Sequence, residues 1–175
     1  PDYHALRVMN HILGGGGFSS YLMEEVREKQ GLTYGIYSQP AHLDHADYLI
    51  IQSATSPENI APMTDSISSI LTMMKNESVD ADLLADAKSY LIGSLPMRFA
   101  STLSLSGATL RMQLDGRSMD ALDQWADKIN AVTADDIMRV SNRIFTSVEP
   151  SATVIAGAVP DDLGFDIVDT IPGIE

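Results

Sequence analysis

Cysteine is absent and basic residues are few, and each shortage excludes a class of site. Without cysteine, the 175 residues hold no thiol nucleophile, disulfide or thiolate metal ligand. Eleven Lys and Arg stand against 24 Asp and Glu, and the resulting net charge of −13 repels phosphate backbones. Arg27 and Lys29 lie among Glu24, Glu25 and Glu28 and form no basic patch, so we expect no nucleic-acid partner.

Long apolar runs are missing as well, although 45% of the residues are hydrophobic. No run approaches the ~20 apolar residues of a membrane-spanning helix, so we expect no membrane span. The hydrophobic content suits one packed domain, because a domain takes ~150 residues on average. The chain begins at Pro1 without a charged and then apolar leader, and this start indicates a piece of a larger protein.

The periodicity of the apolar residues predicts many helices and few strands. Their order favours an α+β fold, in which helices cover one face of an antiparallel sheet. Residues 1–159 are expected to form one domain and residues 160–175 an acidic tail. The predicted helices lie near 2–13, 19–30, 57–75, 80–95, 102–114, 119–130 and 134–145, and the predicted strands are 32–39, 48–55 and 152–158.

Several residue types mark where these elements begin and end. Asp2 and Asp80 are predicted to open helices, and Thr133 is a predicted N-cap with an acidic residue three positions later. Gly31 is predicted to end its helix in a left-handed conformation, and Pro40 to end the first strand.

Four consecutive glycines separate the first two predicted helices. Backbone N–H groups before a helix attract anions, but neither GxxxxGK[ST] nor GxGxxG occurs, so a nucleotide-binding module is the weakest of three readings. The run otherwise serves as a flexible joint, or lets another backbone approach closely. After it, Phe18, Leu22 and Val26 repeat every four residues and predict the apolar face of the second helix.

The four histidines offer little for metal binding. Residues 42–47 read HLDHAD, in which two histidines and a carboxylate are able to bind zinc, but a polar turn is the default because the His–His spacing of four is absent. His4 and His11 lie two helical turns apart, too far to share an ion. HExxH and HxxEH do not occur, so we expect no metal in this chain.

Arg27 and Tyr34 bracket the predicted helix end at Gly31, so both side chains are able to point to one side of that corner. Arg27 is a permanent cation, and a phenol donates to a developing oxyanion. The alternative is that Arg27 covers carbonyls at the end of its own helix and Tyr34 is half-buried in a sheet.

The stretch from Val8 to Ser38 reads VMNHILGGGGFSSYLMEEVREKQGLTYGIYS and closely resembles the start of the inactive C-terminal domain of pitrilysin/insulinase-type zinc peptidases. Three later segments, DAKSYLIGSLPMRFAST, INAVTADDIMRVSNRIF and ATVIAGAV, are similar to that family in the same order. The resemblance implies a metallopeptidase-like α/β roll that faces a zinc-bearing HxxEH domain across a chamber. It also implies that a first strand precedes this chain.

The resemblance further implies site residues and partners. Arg27 would bind a substrate carbonyl and Tyr34 would stabilise the oxyanion. Substrate contacts are implied for the glycine-rich loop, namely Gly14, Gly15, Gly16, Gly17 and Phe18. Zinc would lie in a partner domain or subunit, the substrate would be a peptide, and the isolated chain would be inactive.

Two functions therefore stay open from the sequence. The first is the substrate-side domain of a zinc endopeptidase, and the rival is a non-catalytic structural or assembly subunit of the same fold. The retention of both Arg27 and Tyr34 at the family spacing favours the first. We expect a bacterial protein, periplasmic rather than cytoplasmic, and self-association of the chain when its partner is missing.

Overall fold

A computed structural model describes residues 2–42, 47–146, 152–160 and 163. Helices dominate this part of the chain, and its two strands form one antiparallel sheet, which confirms the predicted α+β class. None of the described helices is long and apolar enough to cross a membrane.

The regular elements follow in chain order. The two strands are β1 (Ile36–His42) and β2 (Asp47–Ser53). The α-helices are α1 (Tyr3–Asn10), α2 (Ile60–Asn76), α3 (Ala81–Gly93), α4 (Thr102–Leu114), α5 (Trp125–Asn130) and α6 (Ala134–Ile144). Two wider π-helices, His11–Gly15 and Met23–Lys29, precede the sheet. Short 3-10 turns occupy Gly17–Ser19, Pro57–Asn59, Pro96–Phe99 and Met119–Ala121.

Helices cover one face of the sheet. The strands pair from Ile36 opposite Ser53 to His42 opposite Asp47. Ile36 and Ser38 point towards the helices and are buried, whereas Tyr37 between them is exposed. This alternation is the one expected of a sheet with one face on the core and one face in solvent.

The core joins α1, both π-helices and β1 to the helices that follow the sheet. The most completely buried apolar residues come largely from the first two predicted helices. The residues of this cluster with no exposed surface are Val8, Met9, Leu13, Leu22, Val26, Ile36, Ile129 and Val140.

Two predicted helix starts are confirmed. The Asp80 carboxylate accepts hydrogen bonds from the N–H groups of Asp82 at 2.9 Å and Leu83 at 3.1 Å. Thr133 and Asp136 form a reciprocal capping box at the start of α6. Such caps satisfy N–H groups that a helix leaves without partners at its first turn.

Asp2, in contrast, makes no side-chain cap. Its carboxylate instead pairs with Arg139 and Arg143 of α6, at 2.8 Å each. The predicted cap is therefore wrong, because two guanidinium groups from a distant helix compete for the same oxygens.

The strand predictions need three corrections. β1 starts at Ile36 instead of residue 32, and it continues through Pro40. A proline is tolerated there because both strands of a two-stranded sheet are edges, so a ladder N–H is not needed on the outer side. Residues 152–158, predicted as a strand, form none. The described sheet contains only β1 and β2, so residues 152–158 have no neighbouring strand to form backbone hydrogen bonds with.

Candidate functional site

The sequence-predicted site residues all lie in one continuous segment between α1 and β1. The glycine run leaves α1 through the first π-helix, and Arg27 lies on the second. A π-helix closes i→i+5 hydrogen bonds, is rare, and occurs frequently at functional sites. The predicted second helix is thus wound differently from the α-helix expected from its spacing.

The glycine run packs against the sheet. A Cβ atom added to Gly14 would lie 2.6 Å from Ser38 Oγ and 2.8 Å from both Ser38 N and Leu22 Cδ1. Gly17, in contrast, has a φ of +65°, and nothing lies within 4 Å of the place where a Cβ would stand. Close approach of another backbone, one of the three readings of the run, therefore accounts for Gly14, and a left-handed turn accounts for Gly17.

Two hydrogen bonds between buried residues join the end of α1, just before the glycine run, to β1. Asn10 Nδ2 donates to the Ser38 carbonyl oxygen at 3.2 Å, and Ser38 Oγ donates to Asn10 Oδ1 at 2.9 Å. Both residues are buried, so each satisfies the other in place of water. Sequence reasoning missed this pair. Its signal was a polar residue on an otherwise apolar helix face and another on the apolar face of a strand.

The serines after the run also act on the backbone. Ser20 is fully buried, and its hydroxyl donates to the Gly17 carbonyl at 2.7 Å. The hydroxyl of the exposed Ser19 donates to the Gly16 carbonyl at 3.2 Å. These bonds close the 3-10 turn, and the Ser20 carbonyl accepts from the Glu24 N–H at 2.9 Å, where the next helix begins.

His11 packs under the run. Its ring stacks on Tyr90, with centroids 4.8 Å apart, and its Nε2 lies 3.0 Å from where a Gly16 Cβ would stand. Burial lowers the pKa of His11, and Arg98 and Arg7 lower it further, so the imidazole is neutral near pH 7. We therefore interpret His11 as a packing residue beneath the glycine run.

Arg27 has two partners among the described residues. Its Nη1 donates to Glu28 Oε1 at 2.5 Å. Its Cζ lies 4.6 Å from the ring centroid of Phe18, a cation–π contact. Phe18 is 68% exposed, although its spacing predicted a place on the buried helix face. The guanidinium therefore contacts the glycine loop, and it does not bond the carbonyls at its own helix end.

Tyr34 lies in the loop before β1, and its side chain is 96% exposed. The loop itself is held firmly. Thr33 Oγ1 donates to the Ala54 carbonyl at 2.7 Å, and Ser53 Oγ donates to the Gly35 carbonyl at 3.0 Å. A phenol is thus presented to solvent from an ordered backbone, and the alternative of a half-buried strand tyrosine does not apply.

Gly31 separates these two residues at a φ of +65°, which confirms the predicted left-handed stop. Its N–H donates to the Arg27 carbonyl at 3.0 Å, and the Leu32 N–H donates to the Val26 carbonyl at 3.0 Å. The chain therefore turns sharply between the helix that carries Arg27 and the loop that carries Tyr34.

The histidine segment between the strands is only partly described. His42 Nδ1 contacts the Asp47 carboxylate across the end of the sheet, while Asp44 and His45 lie outside the described residues. Among the described residues, no three His, Asp or Glu side chains cluster closely enough to hold a metal ion. The described side chains therefore do not fit a zinc site.

The chemistry that this segment offers is binding and charge stabilisation. A guanidinium has five N–H donors, and a phenol adds one O–H donor. Both are suited to carbonyl oxygens and oxyanions, whereas bond cleavage requires a nucleophile or activated water that these two groups do not supply.

A sequence profile and a solved structure that match this chain both describe the same protein family. The sequence profile described as the peptidase M16 inactive domain matches residues 1–91. A crystal structure of a peptidase M16 inactive domain from Pseudomonas fluorescens aligns with a TM-score of 0.74 and 30% identity, over 82% of this chain and 34% of that one.

Relatives at the sequence level carry two kinds of name. An uncharacterized zinc protease, YmxG, from Bacillus subtilis is 28% identical over 81% of this chain and 34% of its own length. A non-peptidase homolog, also called YmxG, from Helicobacter pylori is 34% identical over 55% of this chain and 22% of its own length. The chain thus spans about a third or less of the relatives that it matches.

Proposed function

Because this chain belongs to the family of peptidase M16 inactive domains, we propose that it is the substrate-side domain of a zinc metalloendopeptidase. The zinc ligands, in an HxxEH motif, would lie on another domain or subunit. This division accounts for relatives that are named zinc proteases and are about three times as long as the aligned region.

The observation that carries the proposal is the pair of donors at the turn around Gly31. The Arg27 guanidinium lies beside the glycine loop, and the Tyr34 phenol is almost fully exposed on a loop tied to β2. In this proposal Arg27 binds a carbonyl of the peptide, and the glycine run beside Phe18 contacts the peptide backbone. Tyr34 donates to the oxyanion that forms when the scissile carbonyl is attacked.

The test uses the complete protein or assembly that contains this chain, with its zinc content measured. Tyr34→Phe removes one oxyanion donor, and we expect kcat for a peptide substrate to fall by ~10²–10³ with an unchanged fold. Arg27→Ala is expected to raise KM as well, because a carbonyl is bound in the ground state too.

Tyr48→Phe is the matched control, since Tyr48 is an exposed tyrosine of β2. Its kcat and KM should equal those of the unaltered protein. Equal activity of the Tyr34→Phe and Tyr48→Phe proteins would contradict the role of Tyr34.

A second candidate, a non-catalytic structural subunit, is favoured by the Helicobacter pylori relative whose name denies peptidase activity. The same preparation separates the two functions. A complete assembly that binds zinc and cleaves peptides supports the first candidate. An assembly that is correctly folded but cleaves no peptide at any zinc concentration supports the second.

A further inference from the structure

Phe18 and Arg27 meet although they belong to different elements. Phe18 lies in the 3-10 turn Gly17–Ser19, directly after the glycine run, and Arg27 lies on the π-helix Met23–Lys29. Their contact, with Cζ 4.6 Å from the ring centroid, is well within the ~6 Å range of a cation–π interaction. The ring is otherwise largely in solvent, so core packing does not explain the position of Phe18.

The contact leaves the guanidinium chemically available. The Arg27 side chain keeps 29% of its surface exposed, and a guanidinium has five N–H donors in all. Glu28 accepts from Nη1 only. No other side-chain hydrogen bond of this guanidinium occurs among the described residues, so its remaining donors are able to reach a carbonyl oxygen of a bound peptide.

The position of Phe18 is itself fixed by the turn that carries it. The buried Ser20 donates through its hydroxyl to the Gly17 carbonyl at 2.7 Å, and Ser20 N–H donates to the same oxygen at 3.1 Å. Gly17 has a φ of +65°, a conformation that residues with a Cβ rarely adopt. The turn therefore fixes the backbone of Phe18 at a place from which its ring contacts Arg27.

We infer that Phe18 is a positioning residue for Arg27. Its ring restricts the flexible Arg27 side chain to the side of the glycine loop, where the guanidinium meets peptide. The inference rests on the proposed function of Arg27 as a carbonyl-binding group. Phe18 acts on the substrate through Arg27, and its effect disappears when Arg27 is absent.

The first experiment tests the contact in this chain by NMR of the arginine side-chain Nε–H group. Ring current from Phe18 is expected to shift the Arg27 signal, and Phe18→Leu should move it to the position typical of free arginine. Phe99→Leu, in the separate 3-10 turn Pro96–Phe99, is the control and should leave the signal in place. An Arg27 signal that Phe18→Leu does not move would overturn the inference.

The second experiment is a double-mutant cycle on the complete protein, with KM and kcat measured on one peptide. Phe18→Leu is expected to raise KM about 2- to 5-fold, which corresponds to an exposed cation–π contact, with kcat nearly unchanged. Phe18→Tyr should restore KM, because it retains an aromatic face. In the Arg27→Ala background, Phe18→Leu should change KM by less than about 1.5-fold.

The outcomes separate the two claims. If Arg27→Ala raises KM and Phe18→Leu raises it further by its full factor, the two residues act independently and the positioning role is wrong. If Arg27→Ala leaves both KM and kcat unchanged, the proposed function of Arg27 fails, and the positioning role falls with it even when the NMR contact is present.

Discussion

At several positions of this site, the space available beside the backbone restricts which residue fits. Gly14 is required because the Ser38 backbone and hydroxyl occupy the space that a side chain would take. Asn10 exchanges two hydrogen bonds with the same Ser38. Gly14, the first residue of the glycine run, therefore allows the chain after α1 to pack closely against β1.

This geometry predicts the effect of two alanine substitutions with opposite sign. Gly14→Ala would place Cβ within 2.8 Å of the Ser38 backbone N, so we expect the free energy of unfolding to fall by about 1–3 kcal/mol. Gly107→Ala, inside α4 with nothing within 4 Å, should raise it by up to about 1 kcal/mol. Urea unfolding measures both, and a neutral Gly14→Ala would contradict the close packing.

The sequence identified Arg27, Tyr34 and Phe18 separately, but not the contact between two of them. Phe18 and Arg27 are nine positions apart, and their meeting depends on a 3-10 turn and a π-helix that follow one another. A spacing of four in the apolar residues fits an α-helix and a π-helix almost equally well. The pattern therefore placed Phe18 in the core, whereas the structure leaves it 68% exposed.

At the scale of elements, local signals were predicted correctly and non-local ones were not. The caps at Asp80 and Thr133 involve residues two or three positions away, so they are readable from sequence. A strand needs a partner strand, which is often distant in the chain, and residues 152–158 have none within the described sheet. Asp2 failed as a predicted cap for the same reason, because its partners are 137 and 141 positions away.

The Asp2 pairs make the packing of α1 against α6 dependent on pH. Hydrogen bonding to Arg139 lowers the pKa of Asp2, with a smaller contribution from Arg143. A carboxyl whose pKa is lowered on folding stabilises the fold above its unfolded pKa of 3.8, and this stability is lost as pH falls through the lowered value.

We therefore expect Asp2→Asn to lower the stability at pH 7 and to leave it nearly unchanged well below pH 3.8. The measurement is chemical unfolding across that pH range. Asp123→Asn, at an exposed position before α5, is the control and should show a smaller difference at pH 7. An Asp2→Asn effect of equal size at both ends of the range would show that charge is not its cause.

At the scale of the molecule, the described fold presents apolar surface that a self-contained domain would bury. Leu103, Leu110 and Leu114 of α4 are 81%, 57% and 73% exposed. They lie at i, i+7 and i+11, hence on one face of the helix, while Met112 on the opposite face is buried. Contiguous exposed leucines of this kind are typical of surfaces that associate with other protein.

The sequence predicted self-association of the chain in the absence of its partner, and we expect this leucine face of α4 to be the surface that associates. The net charge of −13 opposes association, so added salt should strengthen it by screening the repulsion between copies. Size-exclusion chromatography with light scattering, over a range of concentration and salt, measures this. Replacing all three leucines with glutamine keeps the charge and should give a monomer, whereas Leu105→Gln, on the opposite side of the same helix, should not. A chain that stays monomeric at high concentration in high salt would show that the leucine face is not sufficient for association.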